Sequence, residues 1–184
     1  LADKLGHPVF EIPIQPPSVP GMRLNVLLTR MASAKARVIL GSPLKALHAA
    51  HGRVQAVEYA SAGRATRVET RAVILAAGGF ESGALELDSY GIVRDTVCAL
   101  PVMGPTGQLL HADFWGEEQP LFLAGLAVDD SMRVVDENGT AVYTNLFAAG
   151  GNLAGATRWR EKSGEGIALA SALAAVDAIV EELK

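Results

Sequence analysis

The chain has 184 residues, 49% hydrophobic and 20% charged, with a formal net charge of −4. Such a length and composition bound it to one domain, or one domain with a small appendage, with enough apolar material for a core and too little charge for a disordered chain. The net acidity without a basic tail argues against nucleic acid as a partner, and no apolar run reaches the roughly 18 to 20 residues that span a bilayer.

The opening Leu1-Ala-Asp-Lys-Leu5 reads as the end of a helix rather than a leader. With no initiator methionine, the chain reads as a piece of a longer protein. Pro8 to Ile14 reads as extended, and Gln15-Pro-Pro-Ser-Val-Pro-Gly21 as a rigid irregular segment, because its prolines fix φ and remove donors. From Met22 to Ala34, Leu24, Leu27, Leu28 and Met31 fall on one face of a helix. Arg37 to Gly41 is expected as a short strand, and Leu44 to Ala49 as a continuation of the sheet edge. Gly52 to Ala60 and Ala65 to Thr70 alternate and are joined by Ser61-Ala-Gly63, the pattern of a β-hairpin. Val73 to Ala77 is apolar on both sides, as in a strand covered on both faces.

Residues 81 to 120 carry weaker signals. Glu81 to Gly83 suggests a loop or helix start, and Leu85, Leu87 and Tyr90 a short helix. Ile92 to Val102 has extended character, and Phe114-Trp115-Gly116 forms an aromatic spot. Phe122 to Val128 is expected as a strand, Asp129-Asp130 as a turn, and Ser131 to Gly139 as a strand ending in an Asn-Gly turn. The last helix is expected from about Gly164 to Leu183, with Ser163 as its N-cap. Leu169, Leu173, Val176, Val180 and Leu183 form its apolar stripe, and Ala168, Ala172 and Ala175 flank that stripe and permit close approach to a sheet.

The single Cys98 excludes an internal disulfide framework and a Cys-based zinc or iron–sulfur site, and fits a reducing compartment. The four histidines, His7, His48, His51 and His111, lack metal-ligand spacing, so no metal site is expected. Chemistry is instead suggested by two strands that each exit into paired glycines. Arg71 to Phe80 runs into Gly78-Gly79. Asn145-Leu-Phe-Ala-Ala-Gly-Gly-Asn152 runs into Gly150-Gly151 and, past Arg158-Trp-Arg160, leads to a helix opening at Gly164-Glu-Gly166. Paired glycines let a ligand approach the backbone, and a helix start offers unpaired N–H groups at the positive end of the dipole. Phosphates and the pyrimidine ring of a flavin both suit such a cradle, and a helix start beside the flavin's N1/C2=O edge stabilises its reduced form. The candidate cofactor-binding residues are therefore Ala77, Gly78, Gly79, Gly150, Gly151, Gly164, Gly166 and the N–H of Ile167. No Gly-x-Gly-x-x-Gly with an acidic ribose ligand is present, and those elements are expected in an N-terminal segment outside this chain. Arg94 reads as a surface residue, with an anionic ligand as the alternative. Arg158 and Arg160 read as a solvated loop or as contacts to phosphate or carboxylate. Trp115 and Trp159 read as packing residues or as stacking platforms. No Ser/His/Asp or Cys/His arrangement emerges, so the catalytic residues stay unassigned.

Leu75-Ala-Ala-Gly-Gly-Phe80 and Asn145 to Gly150 resemble the flavoprotein superfamily of the fumarate reductase and succinate dehydrogenase flavoprotein subunits. More narrowly, the chain resembles the B subunits of anaerobic glycerol-3-phosphate dehydrogenase. That likeness runs through Pro8-Val-Phe-Glu11, Pro16-Pro-Ser-Val-Pro-Gly-Met-Arg-Leu24, Ala76 to Gly83, Gly91 to Arg94, Leu100-Pro-Val102, Asn145 to Gly151 and Ser163 to Ala170. It implies an α/β fold, the C-terminal part of a Rossmann-like flavin-binding domain lacking its first βαβ unit. Residues 1–80 and 145–184 would build that domain, and 81–144 a β-rich insertion. It also implies a flavin, FMN for this type of subunit or FAD for the superfamily, with electrons relayed from glycerol 3-phosphate oxidation toward quinone. A catalytic flavoprotein subunit and an iron–sulfur anchor subunit would be partners, placing the assembly peripherally at the inner face of the cytoplasmic membrane. The family reads Arg-Glu-Gly-Cys-Gly-Ser-Gly where this chain reads Arg160-Glu-Lys-Ser-Gly-Glu-Gly166, so Glu165 brings an acid to the helix start. Two alternatives stand beside this reading: another flavoenzyme of the superfamily, or a flavin-free assembly scaffold.

Overall fold

A computed structural model describes residues 2–10, 12, 18–113 and 115–184. The chain divides into two units, Leu1–Gly41 and Ser42–Lys184. The expectations for Glu11, for residues 13–17 and for Phe114 lie outside the described residues.

The first unit holds a short helix α1 (Ala2–Leu5) and a longer helix α2 (Val19–Ser33). Helix α2 begins three residues before the expected start. Ser18 caps it, its hydroxyl accepting from the Gly21 N–H at 3.1 Å, and Pro20 sits in the first turn, where a missing N–H costs nothing. Val19 to Gly21 are therefore helical, not irregular. The stripe of Leu24, Leu27, Leu28 and Met31 is exposed. The strand expected at 37–41 does not form; Arg37 to Leu40 carry no regular structure.

In the second unit, β1 (Leu44–Ala50), β2 (Arg53–Ser61) and β3 (Arg64–Glu69) form an antiparallel meander. Its turns are two residues long. His51 (φ 52°) and Gly52 (φ 70°) close the first, Ala62 (φ 48°) and Gly63 (φ 77°) the second. Positive φ at both central residues matches the right-handed twist of the strands. Strand β4 (Val73–Leu75) then pairs in parallel with a strand some seventy residues later. Between them lies a hairpin, β5 (Leu85–Leu87) with β6 (Val93–Asp95). Leu85 and Leu87 thus sit on a strand, not on the expected helix. The Asp88 carboxylate organises the turn, accepting from the Tyr90 and Ile92 N–H groups and from Arg94. These bonds, led by the one from Ile92, hold its carboxyl below the usual carboxylate range. Arg94 is accordingly a surface ion-pair partner.

Pro120–Leu123 is a 3-10 turn with proline at its start, not the beginning of a strand. After it the chain is extended and makes single bridges, Met103 to Gly125, Leu126 to Leu153 and Val128 to Val134. Asp129 heads the expected turn, accepting from the Ser131 and Arg133 N–H groups. The chain turns again at Gly139 (φ 75°), whose N–H donates to the Asp136 carbonyl. Strand β7 (Leu146–Ala148) is buried throughout and aligns Val73 with Leu146, Ile74 with Phe147 and Leu75 with Ala148. The core gathers Val54, Leu75, Leu100, Leu126, Val134, Leu146, Ala148 and Leu153, each larger side chain contributing about 1.5–3 kcal/mol by leaving water.

A one-turn helix α3 (Arg158–Glu161) and the long α4 (Gly164–Glu182) complete the unit. Helix α4 buries Ser171 and Ala175 rather than its leucine stripe; Leu169 is 75% and Leu173 60% exposed. Small side chains let the helix lie close to the end of β7, and that requirement outweighs the size of the leucines. At its far end Glu182 pairs with Arg133, whose guanidinium also covers the Phe147 ring. Ser163 does not cap α4, because its hydroxyl donates to Glu161.

Candidate functional site

The site is built where β4 and β7 end side by side. Buried Asn145 fixes that alignment at their starts. Its Oδ1 accepts from the Val54 N–H at 2.8 Å, and its Nδ2 donates to the carbonyls of Val54 and Arg71, each at 2.8 Å. The Asn145 carbonyl accepts from Val73, the first residue of β4. One side chain therefore joins the meander to both parallel strands. Sequence reasoning places Asn145 at the head of the motif without assigning it this role; the signal is an amide ahead of a fully apolar strand.

Both strands then run through Ala-Ala-Gly-Gly. In each pair the first glycine turns the backbone, Gly78 at φ 83° and Gly150 at φ 81°, a region side chains avoid. The second glycine of each pair leaves room. A methyl group on Gly79 would lie 2.6 Å from the Gly151 carbonyl oxygen and 2.7 Å from the Arg158 guanidinium. A methyl group on Gly151 would strike the same guanidinium. The two turns thus meet backbone to backbone at Gly79 and Gly151, with Arg158 across the seam. Arg158 pairs with Glu81 through two hydrogen bonds, at 2.9 and 3.1 Å. Asn152 ties the second turn to the first strand, its Nδ2 donating to the Leu75 carbonyl at 3.1 Å, while its buried Oδ1 has no donor.

Helix α4 reaches the seam through Ser171, whose hydroxyl accepts from the Gly150 N–H at 2.9 Å. At its start, a side chain on Gly164 or Gly166 would meet nothing within 4 Å. The Ile167 N–H donates to the Ser163 carbonyl at 2.8 Å as the first helical bond, which removes it from the available donors. The open donors of a helix start lie before that bond, at residues 164–166. Glu165 is exposed there. Ala77 lies beside the first turn, its carbonyl accepting from the Ser82 hydroxyl at 2.7 Å. The structure therefore brings Gly78, Gly79, Gly150 and Gly151 together, with Ala77 next to them.

An aromatic group borders the seam. Phe80 meets Phe122 edge-on at 6.2 Å between ring centres, and Phe122 lies 5.5 Å from Trp159. Arg158 stands over the Trp159 ring. Trp159 is 46% and Trp115 89% exposed, so neither is a core packing residue. Glu161 accepts from the hydroxyls of Thr157 and Ser163, and these bonds, the one from Thr157 foremost, hold its carboxyl below the ordinary range. Cys98 packs against the core, where burial pushes its thiol up to about 12, with the nearby Asp95 charge adding to the effect. His48 bonds Glu58 across β1 and β2. Among the described residues no three His, Cys, Asp or Glu side chains gather as metal ligands, and no helix is long and apolar enough to cross a membrane.

Residues 2–167 match the FAD binding domain family. The chain is homologous to the B subunits of anaerobic glycerol-3-phosphate dehydrogenases. It is 30% identical over 185 positions to the probable B subunit from Halobacterium salinarum, covering 100% of this chain and 43% of that protein. It is 27% identical over 189 positions to the B subunit from Pectobacterium atrosepticum, covering 99% and 43%. The B subunit from Pasteurella multocida is 27% identical over 179 positions, covering 93% and 41%. The chain thus spans less than half the length of these relatives, and no solved structure matches it significantly. With a mixed α/β fold, two abutting glycine turns and a match over most of its length, the chain belongs to the FAD binding domain family.

Proposed function

We propose that this chain is part of a flavin-dependent redox subunit that relays electrons from glycerol 3-phosphate oxidation toward quinone. The observation that carries the reading is the pair of strand ends: β4 and β7 run in parallel into turns at Gly78 (φ 83°) and Gly150 (φ 81°), and helix α4 meets the second turn through Ser171. The residues present fit a flavin. Gly78, Gly79, Gly150 and Gly151 would border its phosphate-bearing chain, and the open N–H groups at Gly164 and Gly166 would face its electron-rich edge. The unpartnered Asn152 Oδ1 leaves one buried acceptor for a donor at the seam. When bound, the flavin supplies the electron-transfer chemistry, and the protein supplies the cradle and the positive end of α4. The relatives are subunits of a glycerol-3-phosphate dehydrogenase, which supports partner subunits for this chain. In this reading one partner oxidises glycerol 3-phosphate and another, an iron–sulfur subunit, holds the assembly at the inner face of the cytoplasmic membrane. The family description favours FAD, and the relationship to the B subunits keeps FMN as the alternative.

A second reading is a flavin-free scaffold. It is favoured by the Arg158–Glu81 pair lying across the seam and by Glu165 at the helix start, which opposes negative charge there. The deciding experiment denatures the full-length protein and identifies the released flavin by chromatography and absorbance. Release of FAD or of FMN supports the flavin reading, and which of the two is released names the cofactor. Gly166→Val sharpens the result, because its side chain meets open space and leaves the fold in place. Loss of flavin, with the flavin-free variant melting where the flavin-free parent does, assigns the helix start to the site. Full retention removes it, and absence of flavin in the parent after reconstitution leaves the scaffold.

A further inference from the structure

Next to the glycine seam, but outside it, the second unit holds a cavity of about 970 Å³, at the upper end of the range for small-molecule sites. Trp115, Phe122 and Trp159 supply aromatic wall, Arg160 and Lys162 supply cations, and Glu117 and Glu118 supply carboxylates. The loop that carries Trp115 is held in shape from within. The Gln119 side chain clasps His111, accepting from its N–H at 2.6 Å and donating to its carbonyl at 3.2 Å. Trp115 donates its own N–H to Asp113 at 3.0 Å. Trp159 is held on the other side by Phe122 and Arg158. The loop backbone that carries Trp115 and the ring of Trp159 are thus positioned by contacts made elsewhere.

The cations are also uncommitted within the wall. Neither Arg160 nor Lys162 makes an ion pair among the described residues. Glu161 between them gives its oxygens to the Thr157 and Ser163 hydroxyls, and the Arg160 charge is the least of the influences on it. Lys162 holds φ 55°, a left-handed conformation unusual for lysine, at the turn that brings it to the cavity. On the Glu118 carboxylate, Oε1 is buried with no donor, an acceptor left unmet at the cavity wall.

We propose that this cavity is a second binding site, separate from the glycine seam, for a planar aromatic acid that carries a ring hydroxyl. The indole and phenyl surfaces take the ring, Arg160 and Lys162 take the acid group, and Glu118 accepts from the hydroxyl. The proposal does not rest on flavin binding, and its test needs none.

The test is calorimetric titration of the full chain with 6-hydroxy-2-naphthoate, alongside 2-naphthoate, which lacks the hydroxyl, and 2-naphthol, which lacks the acid. Saturable one-to-one binding of the hydroxy acid is expected. The double variant Arg160→Ala with Lys162→Ala should weaken it about tenfold while leaving 2-naphthol unchanged. Glu118→Leu, which removes the acceptor, should abolish the preference for the hydroxy acid over 2-naphthoate, and Trp159→Leu should weaken all three compounds. The cations lie outside the core, so their variant decides the matter even where Trp159→Leu perturbs the fold. No saturable binding, or equal losses for acid and naphthol in the double variant, overturns the proposal. Displacement of the probe by FMN overturns the separateness of the site, because the cavity would then be the flavin's own. Neither result bears on whether the full-length protein retains a flavin.

Discussion

The two glycine turns share the sequence Ala-Ala-Gly-Gly and the same division of labour, yet they are secured differently. The first is held locally: three residues on, the Ser82 hydroxyl donates to the carbonyls of Ala77 and Gly79. The second is held remotely, by Ser171 on α4 and by the reach of Asn152 back to β4. One turn folds with its own neighbours, and the other exists only once a distant helix has docked. Identical local sequence therefore does not mean identical stability, and the seam is only as firm as its remotely secured half.

Four substitutions test that contrast. Asn145→Ala should have the largest effect, because it orphans the Val54 N–H and the Val54 and Arg71 carbonyls that align both arms; denaturation should show a loss of about 4 kcal/mol. Next, Gly79→Ala and Gly151→Ala should separate. At Gly79 the new methyl meets the rigid Gly151 carbonyl, and a cost of about 2–3 kcal/mol is expected. At Gly151 it meets mainly the movable end of Arg158, so about 0.5–1 kcal/mol should suffice, within the usual range for shifting an exposed ion pair. Equal costs would show that the seam yields as one body. Ser171→Ala lies between these, about 1–2 kcal/mol, because the Gly150 N–H loses a buried acceptor. It should raise amide exchange at Gly150 and leave exchange unchanged at Ala84, whose N–H donates to the Gly79 carbonyl at 3.0 Å. Any change at Ala84 would mean the two turns are not independently secured.

The smallest effect is a readout rather than a cost. With its thiol raised to about 12, Cys98 holds almost no thiolate at pH 8 and should resist iodoacetamide in the folded chain. Denaturation returns it toward 9.0, and labelling should accelerate sharply. Since the folded value is the higher one, this thiol favours the fold fully below the unfolded value, and its contribution falls away as pH rises toward 12. Rapid labelling of the native chain at pH 8 would show that the core around Cys98 opens more readily than the packing implies.

What is legible in the sequence is local. Alternation and two-residue turns reveal the meander, and the apolar runs reveal β4 and β7. The glycine pairs are legible as a cradle, but not as two surfaces in contact, because that depends on a parallel register across some seventy residues. Leu85 and Leu87 mislead because three residues are too few to separate a period of two from a helical one. The stripe on α4 misleads because side-chain size suggests it as the buried face, whereas close approach selects Ser171 and Ala175. Ser163 fails as a cap because Glu161 competes for its hydroxyl, a choice that spacing alone does not reveal.

The parallel pairing of β4 with β7 also sets the order in which the protein can assemble. The meander closes through two-residue turns and needs no distant partner. Val73 and Leu146 meet only after the intervening chain has been brought round, which imposes the loop-closure entropy of a long segment before any contact rewards it. The seam should therefore be late to form on refolding and among the first parts to open under mild denaturant. A molecule binding there should act on the slowest contact of the fold, and adding it during refolding should raise the yield of folded chain.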